Sequence, residues 1–198
     1  MAAPPKGRSE SSVPADYFRE LYRTNADPWS YAASTYERQK YDATLNALPR
    51  ERYRSALELG CSIGVFTALL APRCEELLAV DVSDDALARA AQRCAGAPHV
   101  RFAACDLLTD FPAGRFDVIT FCELGFYFGP NDRRRVRDAI AGALSSGGDL
   151  VLVHWTPLVD GHAATADAVH EDFLRDARFA HSSGSRAATF RLDVCSRT

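Results

Sequence analysis

The run Glu58-Leu59-Gly60-Cys61-Ser62-Ile63-Gly64 constrains this chain more than any other stretch. It follows the short run Ser55-Ala56-Leu57 and precedes Val65-Phe66-Thr67-Ala68-Leu69-Leu70, so it reads as a strand, a tight turn and a helix. Small residues at 60, 62 and 64 let the backbone turn sharply and let a ligand approach it without meeting a Cβ. In an open α/β sheet, a turn at the carboxyl end of a strand is where ligands bind.

The rest of the chain repeats this alternation. Strands are expected near 55–60, 76–82, 99–105, 115–122 and 149–155, and helices near 64–71, 84–95, 132–144 and 164–176. Ser83-Asp84-Asp85 and Asn131-Asp132 supply helix N-caps, and Gly147-Gly148 is expected to stop the helix that begins near 132. Alternating apolar strands and helices imply a parallel sheet covered on both faces. The end differs: Arg178 to Ser182 and Ala188 to Val194 flank Ser183-Gly184-Ser185, which predicts a closing hairpin. Before the first strand, residues 14–48 read as helical and aromatic, broken at Asp27-Pro28-Trp29 and closed by Pro49. Residues 1–13, rich in Pro, Ser and charge, read as a disordered lead to a single domain over 14–198.

Composition narrows the function classes. The chain of 198 residues is 47% hydrophobic and 25% charged with net charge -3, which disfavours a nucleic-acid partner held by a broad basic surface. No apolar run reaches the ~18 to 20 residues of a membrane span, and the first ten residues lack the apolar core of a signal peptide. The six cysteines, at 61, 74, 94, 105, 122 and 195, form no C-x-x-C pair. They read as buried thiols in a reducing, cytoplasmic compartment rather than as disulfides or metal ligands.

Two nucleotide-binding fingerprints compete for the first turn. The dinucleotide form asks for glycine at 60, 62 and 65, where the chain has Gly60, Ser62 and Val65. The form used by S-adenosylmethionine (SAM) methyltransferases is an acid followed by glycines two, four and six residues on. Glu58, Gly60 and Gly64 meet it and Ser62 departs from it. Leu77-Leu78-Ala79-Val80-Asp81 ends a second strand in a carboxylate, and Val100 to Asp106 ends a third in another. Together these resemble the cofactor site of a class I SAM-dependent methyltransferase. That implies a Rossmann-like, doubly wound, seven-stranded and mostly parallel sheet with a C-terminal antiparallel hairpin and an N-terminal helical lid. The resemblance extends further. Tyr17-Phe18-x-x-Leu21-Tyr22, Asp27-Pro28-Trp29, Tyr36-Glu37-Arg38-x-Lys40, the Glu58–Gly64 loop, Phe121-Cys122-Glu123-Leu124-x-Phe126-Tyr127-Phe128 and Val151-Leu152-Val153-His154-Trp155 look like the nodulation protein S (NodS) type. Those enzymes are N-methyltransferases acting on the deacetylated terminal glucosamine of a chitooligosaccharide.

The resemblance assigns cofactor-side roles to Trp29, Tyr36, Arg38, Glu58, Gly60, Ser62, Gly64, Asp81, Val82, Cys105, Asp106, Leu107 and Glu123. Asp81 can accept from both ribose hydroxyls. Asp106 and the Leu107 amide can meet the adenine, although Asp106 also suits a turn cap. Glu58 either accepts from the cofactor's ammonium or caps the loop. Trp29, Tyr31 and Tyr36 form a lid or anchor a helix to the sheet, and Arg38 or Lys40 can meet the cofactor's carboxylate. The sulfonium is already an activated leaving group, so the chemistry needs alignment, water exclusion and an unprotonated acceptor, with no metal required. Glu123, His154 and Tyr127 are the candidate catalytic residues, with His154 as a base titrating near neutrality and His170 ranked below them. Trp155 can form pocket wall, and Arg133-Arg134-Arg135-x-Arg137 reads as a solvated helix face. The expected partner is a small polar amine such as an amino sugar or oligosaccharide. The alternatives are a small-molecule O-methyltransferase and a catalytically silent SAM-binding protein.

Overall fold

A computed structural model of the protein describes residues 11–198. Two helices, α1 (Ala15–Thr24) and α2 (Thr35–Ala47), precede the alternating unit. This comprises β1 (Tyr53–Leu59), α3 (Val65–Leu70), β2 (Cys74–Asp81), α4 (Asp84–Arg93), β3 (Val100–Ala104), β4 (Phe116–Cys122), α5 (Pro130–Ala143), β5 (Leu144–Trp155) and α6 (Ala166–Leu174). The hairpin β6 (Phe179–Arg186) and β7 (Phe190–Arg197) completes one seven-stranded sheet of order β3-β2-β1-β4-β5-β7-β6. β1 to β5 pair in parallel and β7 runs antiparallel to both β5 and β6. The strand order reverses between β1 and β4, where Leu59 pairs with Phe121, so a crevice opens beyond those two strand ends.

Alternation along each strand divides the core between the two faces. Leu57, Leu59, Ile119, Phe121, Leu150 and Leu152 pack with Val136 and Ile140 of α5 and Val169 and Phe173 of α6. Ala56, Val118, Val151 and Val153 point the other way, into a cluster with Phe66, Leu70, Val194 and Leu48. A strand buried on both faces must be apolar throughout, which is why the central strands read as continuous hydrophobic runs.

Three local expectations are corrected. Gly147 and Gly148 lie inside β5 rather than stopping a helix; α5 ends at Ala143, where the Leu144 N–H still bonds the Ile140 carbonyl. That helix begins at Pro130 behind Gly129, not behind an Asn131 cap, because proline at the first helical position has no N–H to leave unsatisfied. The hairpin turn falls at residues 187–189, not at Ser183-Gly184-Ser185. Strand pairing continues through Ser183, Gly184 and Ser185 to Arg186 opposite Arg191, and Gly184 leaves room for the Asp193 carboxylate that crosses it. Ser83 does cap α4, accepting the Ala86 N–H at 3.3 Å.

Residues 1–10 of the expected lead lie outside the described residues. The stretch that follows is tied down: the Val13 N–H donates to the Tyr127 carbonyl at 2.8 Å, and the Ser12 hydroxyl bonds both Asp132 (2.5 Å) and the Gly129 N–H (3.0 Å). One backbone bond and two bonds of the Ser12 hydroxyl hold Ser12 and Val13 against the rim of the crevice.

Candidate functional site

A cavity of about 280 Å³ occupies the crevice at the β1/β4 switch. The first turn forms its floor. Gly60 (φ 74°), Ser62 (φ 52°) and Gly64 (φ 76°) all take left-handed backbone conformations, which glycine adopts freely and serine at a cost. A Cβ at Gly64 would lie 2.8 Å from the Ala90 Cα, so glycine there also lets α4 approach the turn. Ser62 earns its place through two bonds. Its N–H donates to Asp81 (2.9 Å), and its hydroxyl accepts from the Tyr22 hydroxyl (2.5 Å), which reaches down from α1. The departure from glycine therefore ties floor to lid.

Asp81 ends β2 with its other oxygen accepting the Ser83 N–H at 3.0 Å. Burial pushes its carboxyl up, opposed by the Ser83, Ser62 and Val82 N–H groups. Val82, Cys105, Asp106 and Leu107 line the same wall, with Asp106 also accepting the Leu108 N–H at 3.0 Å as a turn cap does. Glu58 lies behind the turn, 4% exposed, lining a smaller adjoining cavity with Lys40, Tyr41 and Glu123. Among the described residues its buried Oε2 has no hydrogen-bond partner, and burial, opposed by the neighbouring Thr67 hydroxyl, pushes the carboxyl up to about 8.

The lid is assembled by local capping. The Asp27 carboxylate accepts the N–H groups of Tyr31 (2.8 Å) and Ala32 (2.9 Å), closing the turn that carries Trp29 and Tyr31. Ser34 then accepts the Glu37 N–H at 3.2 Å to start α2. Phe18 and Tyr22, one helical turn apart on α1, join Trp29 and Tyr31 over the cavity. Phe18 packs edge-on against Tyr127 with ring centroids 4.8 Å apart, and Trp29 stacks on Tyr31 at 5.6 Å. Tyr36 and Arg38 are not part of this cover. Tyr36 turns to Thr189 and Trp155, and Arg38 is exposed and paired with Asp42.

Glu123 leaves β4 with a left-handed backbone (φ 54°), its N–H bonded to the Val153 carbonyl at 2.8 Å. Its carboxylate accepts from the Lys40 ammonium at 2.6 Å and the Trp155 N–H at 3.0 Å. Lys40 also pairs with Glu37 at 2.8 Å. Burial alone would lower the Lys40 ammonium, but Glu123 and Glu37 more than offset it and hold it above its ordinary value. Burial raises the Glu123 carboxyl while Lys40 pulls it back toward the anion. The cluster holds two carboxylates against one ammonium, and Glu123 sits where the two cavities meet. Tyr127 lines the main cavity, its hydroxyl pushed above the ordinary tyrosine range by burial and by Glu123.

His154 is not on the cavity wall. β5 continues one residue beyond it, Trp155 pairing with Phe190, so His154 keeps the strand's alternation. It points to the α6 side with Leu150 and Leu152 and is 0% exposed. Its ring nitrogens meet the Gly125 N–H and His170, each at 3.0 Å, and burial drives its imidazole well below the ordinary range. A residue so enclosed cannot take a proton from an acceptor in the cavity, so the expectation of His154 as base does not survive. His170 is equally buried behind it. Arg38 or Lys40 was expected against a cofactor carboxylate, and Lys40 instead partners Glu123; Phe18, Tyr22, Leu124 and Phe128, quoted in the motifs without a site role, are wall residues. For Phe18 and Tyr22 the i, i+4 spacing was the available signal. Three of the four α5 arginines are taken up by acidic neighbours, Arg133 by Asp172 (2.8 Å), Arg135 by Asp132 (3.3 Å) and Arg137 by Asp176 (3.0 Å), while Arg134 reaches the Asn131 side-chain oxygen at 3.4 Å.

Residues 16–180 match the family described as Nodulation protein S (NodS). Nodulation protein S of Bradyrhizobium diazoefficiens is 33% identical over 155 residues, covering 72% of this chain and 71% of that one. Nodulation protein S of Sinorhizobium fredii is 32% identical over 120 residues, covering 60% of this chain and 55% of that protein, so the match spans about half of this second relative. The N-methyltransferase NodS of Bradyrhizobium japonicum, solved with S-adenosyl-L-homocysteine (SAH), superposes with a TM-score of 0.82 at 27% identity, covering 92% of this chain and 98% of that structure. The matched range takes in the lid segment, the first turn and strands β1 to β5, well over half of the chain, and the chain belongs to the NodS family.

Proposed function

We propose that the protein is a SAM-dependent methyltransferase that methylates an amine nitrogen of a small polar acceptor, an amino sugar or amino-bearing oligosaccharide. The observation that carries this reading is that Gly60, Ser62, Asp81 and Asp106 line the same cavity as Glu123 and Tyr127. The residues suit the cofactor: a left-handed turn with no Cβ at 60 or 64, a strand-end carboxylate, and a buried Glu58 oxygen without a hydrogen-bond partner among the described residues, to which an ammonium would give one. When bound, SAM supplies a methyl group on a sulfonium, which needs no further activation.

The chain's own residues then have four tasks. Asp81 is preorganised by two backbone N–H groups, leaving lone pairs for hydroxyl donors. The aromatic cover of Phe18, Tyr22, Trp29 and Tyr31 excludes water from the transfer. Glu123, whose carboxylate already accepts from the Lys40 ammonium, is better suited to hold a cationic amine than to strip its proton. The excess negative charge of the Glu37–Lys40–Glu123 cluster favours cations at the junction of the cavities. Tyr127, with its proton tightly held, can donate to or orient the acceptor. The amine's own proton must leave before attack, so the rate should rise with pH until the acceptor is neutral. The six free thiols suit a reducing, cytoplasmic setting.

The test is methyl transfer from isotope-labelled SAM to a panel of de-N-acetylated chitooligosaccharides, simple amines, alcohols and carboxylates, read by mass spectrometry. An N-methylated amino sugar is expected. Ether or ester products alone, or failure of the protein to bind SAM, would overturn the reading.

A further inference from the structure

Behind the acceptor wall runs a buried polar chain that none of the roles above uses. His154 meets the Gly125 N–H through Nε2 (3.0 Å) and His170 Nε2 through Nδ1 (3.0 Å). His170 Nδ1 meets Asp193 Oδ2 at 2.7 Å. Both histidines are 0% exposed and Asp193 is 5% exposed. They come from β5, α6 and β7, yet the chain ends on the short turn Gly125–Tyr127 that follows β4. A backbone N–H can only donate, so His154 Nε2 must be the acceptor and carry no proton. The proton of neutral His154 then sits on Nδ1 and is donated to His170 Nε2, and His170 donates from Nδ1 to Asp193. One tautomer set satisfies every group in the chain. At its outer end Asp193 is fixed by Arg191 (2.7 Å) and by the half-exposed His181 (2.9 Å).

Gly125 is the second observation. A Cβ there would collide with Val169, would lie 2.9 Å from Phe121 and would lie 3.0 Å from His154 Nε2. Glycine lets the turn press down until its N–H reaches the imidazole. Two residues before Gly125 lies Glu123 and two after lies Tyr127, both on the cavity wall. The Ala163 and Ala164 N–H groups hold the neighbouring Phe126 carbonyl at 2.8 and 3.1 Å, and His162 stacks on the Phe126 ring at 4.0 Å.

We infer that His154 and His170 are positioning residues: with Asp193 they form a hydrogen-bonded strut that fixes Gly125 and thereby sets Glu123 and Tyr127 against the acceptor. The Asp193 charge polarises both imidazoles and strengthens the acceptor that the turn rests on. A packed apolar core at these positions would hold the sheet together but would leave the Gly125 N–H without a partner.

The test compares His154→Phe, which fills the space and accepts nothing, with His154→Gln, whose side-chain oxygen can take the place of Nε2. In the parent protein with ¹⁵N-labelled histidine, His154 is expected to show an unprotonated Nε2 and a protonated Nδ1, a measurement that needs no variant to fold. Gly125 amide exchange should be at least about tenfold faster in the Phe variant and near parental in the Gln variant. The amide shifts of Glu123, Leu124 and Tyr127 should move in the first and not in the second. Only the kinetic arm rests on the amine-methylation reading: with the best acceptor of the panel, kcat should fall roughly 10- to 100-fold in the Phe variant. It should recover in the Gln variant, with SAM affinity little changed in both. A protonated Nε2 in the parent, or equal exchange and equal wall shifts in the two variants, would overturn the strut. An absent turnover with the predicted shifts would instead count against the acceptor assignment.

Discussion

Replacing Glu58 with glutamine isolates the cost of holding a carboxylate behind the first turn. The group is 4% exposed, its Oε2 has no hydrogen-bond partner among the described residues, and burial pushes it from 4.5 up to about 8. A buried carboxyl that holds its proton more tightly than the unfolded chain makes the native state bind more protons between those two values. Stability must therefore fall as pH rises from about 4.5 to 8 and level off above. The whole difference is worth about 4 to 5 kcal/mol, of which about 2 to 3 kcal/mol lies between pH 5 and 7. Urea denaturation of parent and Glu58→Gln at pH 5, 6, 7 and 8 should show the variant gaining on the parent by that amount from pH 5 to pH 7. Parallel pH profiles would refute the reasoning, because they would mean the carboxyl ionises in the fold as it does in water. The same group gives a binding readout. If the cofactor's ammonium becomes the missing partner, SAH binding near pH 7 should expel close to one proton, seen by calorimetry in buffers of different ionisation heat. Glu58→Gln should abolish that release, and its absence from the parent would remove the ammonium from this site without touching the stability argument.

Asp81→Ala should weaken SAH binding by roughly 10- to 100-fold in calorimetry, since it removes a carboxylate acceptor and also frees the Ser62 and Ser83 N–H groups it orders. Lys40→Met should destabilise the fold by about 3 to 5 kcal/mol in urea, because Glu37 and Glu123 lose their shared buried cation. Adding Glu123→Gln to Lys40→Met should recover part of that loss, and strict additivity of the two changes would disprove the coupling. Asp176 is held at about 2 mainly by its bond to Arg178, with Arg137 adding to it, so its stabilisation is present above about pH 4 and is lost as pH falls toward 2. Asp176→Asn should lower stability by about 1 kcal/mol at pH 6, allowing for the partly exposed arginine, and the gap to the parent should close below pH 3.

The parts of the site that could be read from sequence are those set by local spacing. Gly60, Ser62, Asp81, Val82, Cys105, Asp106 and Leu107 each end a strand or open a turn, so finding the strands was enough to bring them to one cavity. What could not be read is the phase of side chains on elements whose inward face is not plainly apolar. On α2 the buried residues Glu37, Lys40 and Thr44 follow helical spacing, but two are charged, so the pattern does not announce an inner face. Arg38 was therefore as eligible as Lys40, although the helix turns it to solvent. On β5 both faces are buried, so nothing in Leu150-Val151-Leu152-Val153-His154-Trp155 tells which residues face α6. His154 looked like a strand-end residue facing the cavity only because the pairing of Trp155 with Phe190 depends on a hairpin distant in sequence. The same long-range pairing brings Asp193 to His170 and gives the buried imidazoles their partners. A histidine that seemed suited to proton transfer is thus placed where its hydrogen bonds can shape the acceptor wall from behind, and the separation of those two roles rests on contacts between β5, α6 and β7 rather than on any local motif.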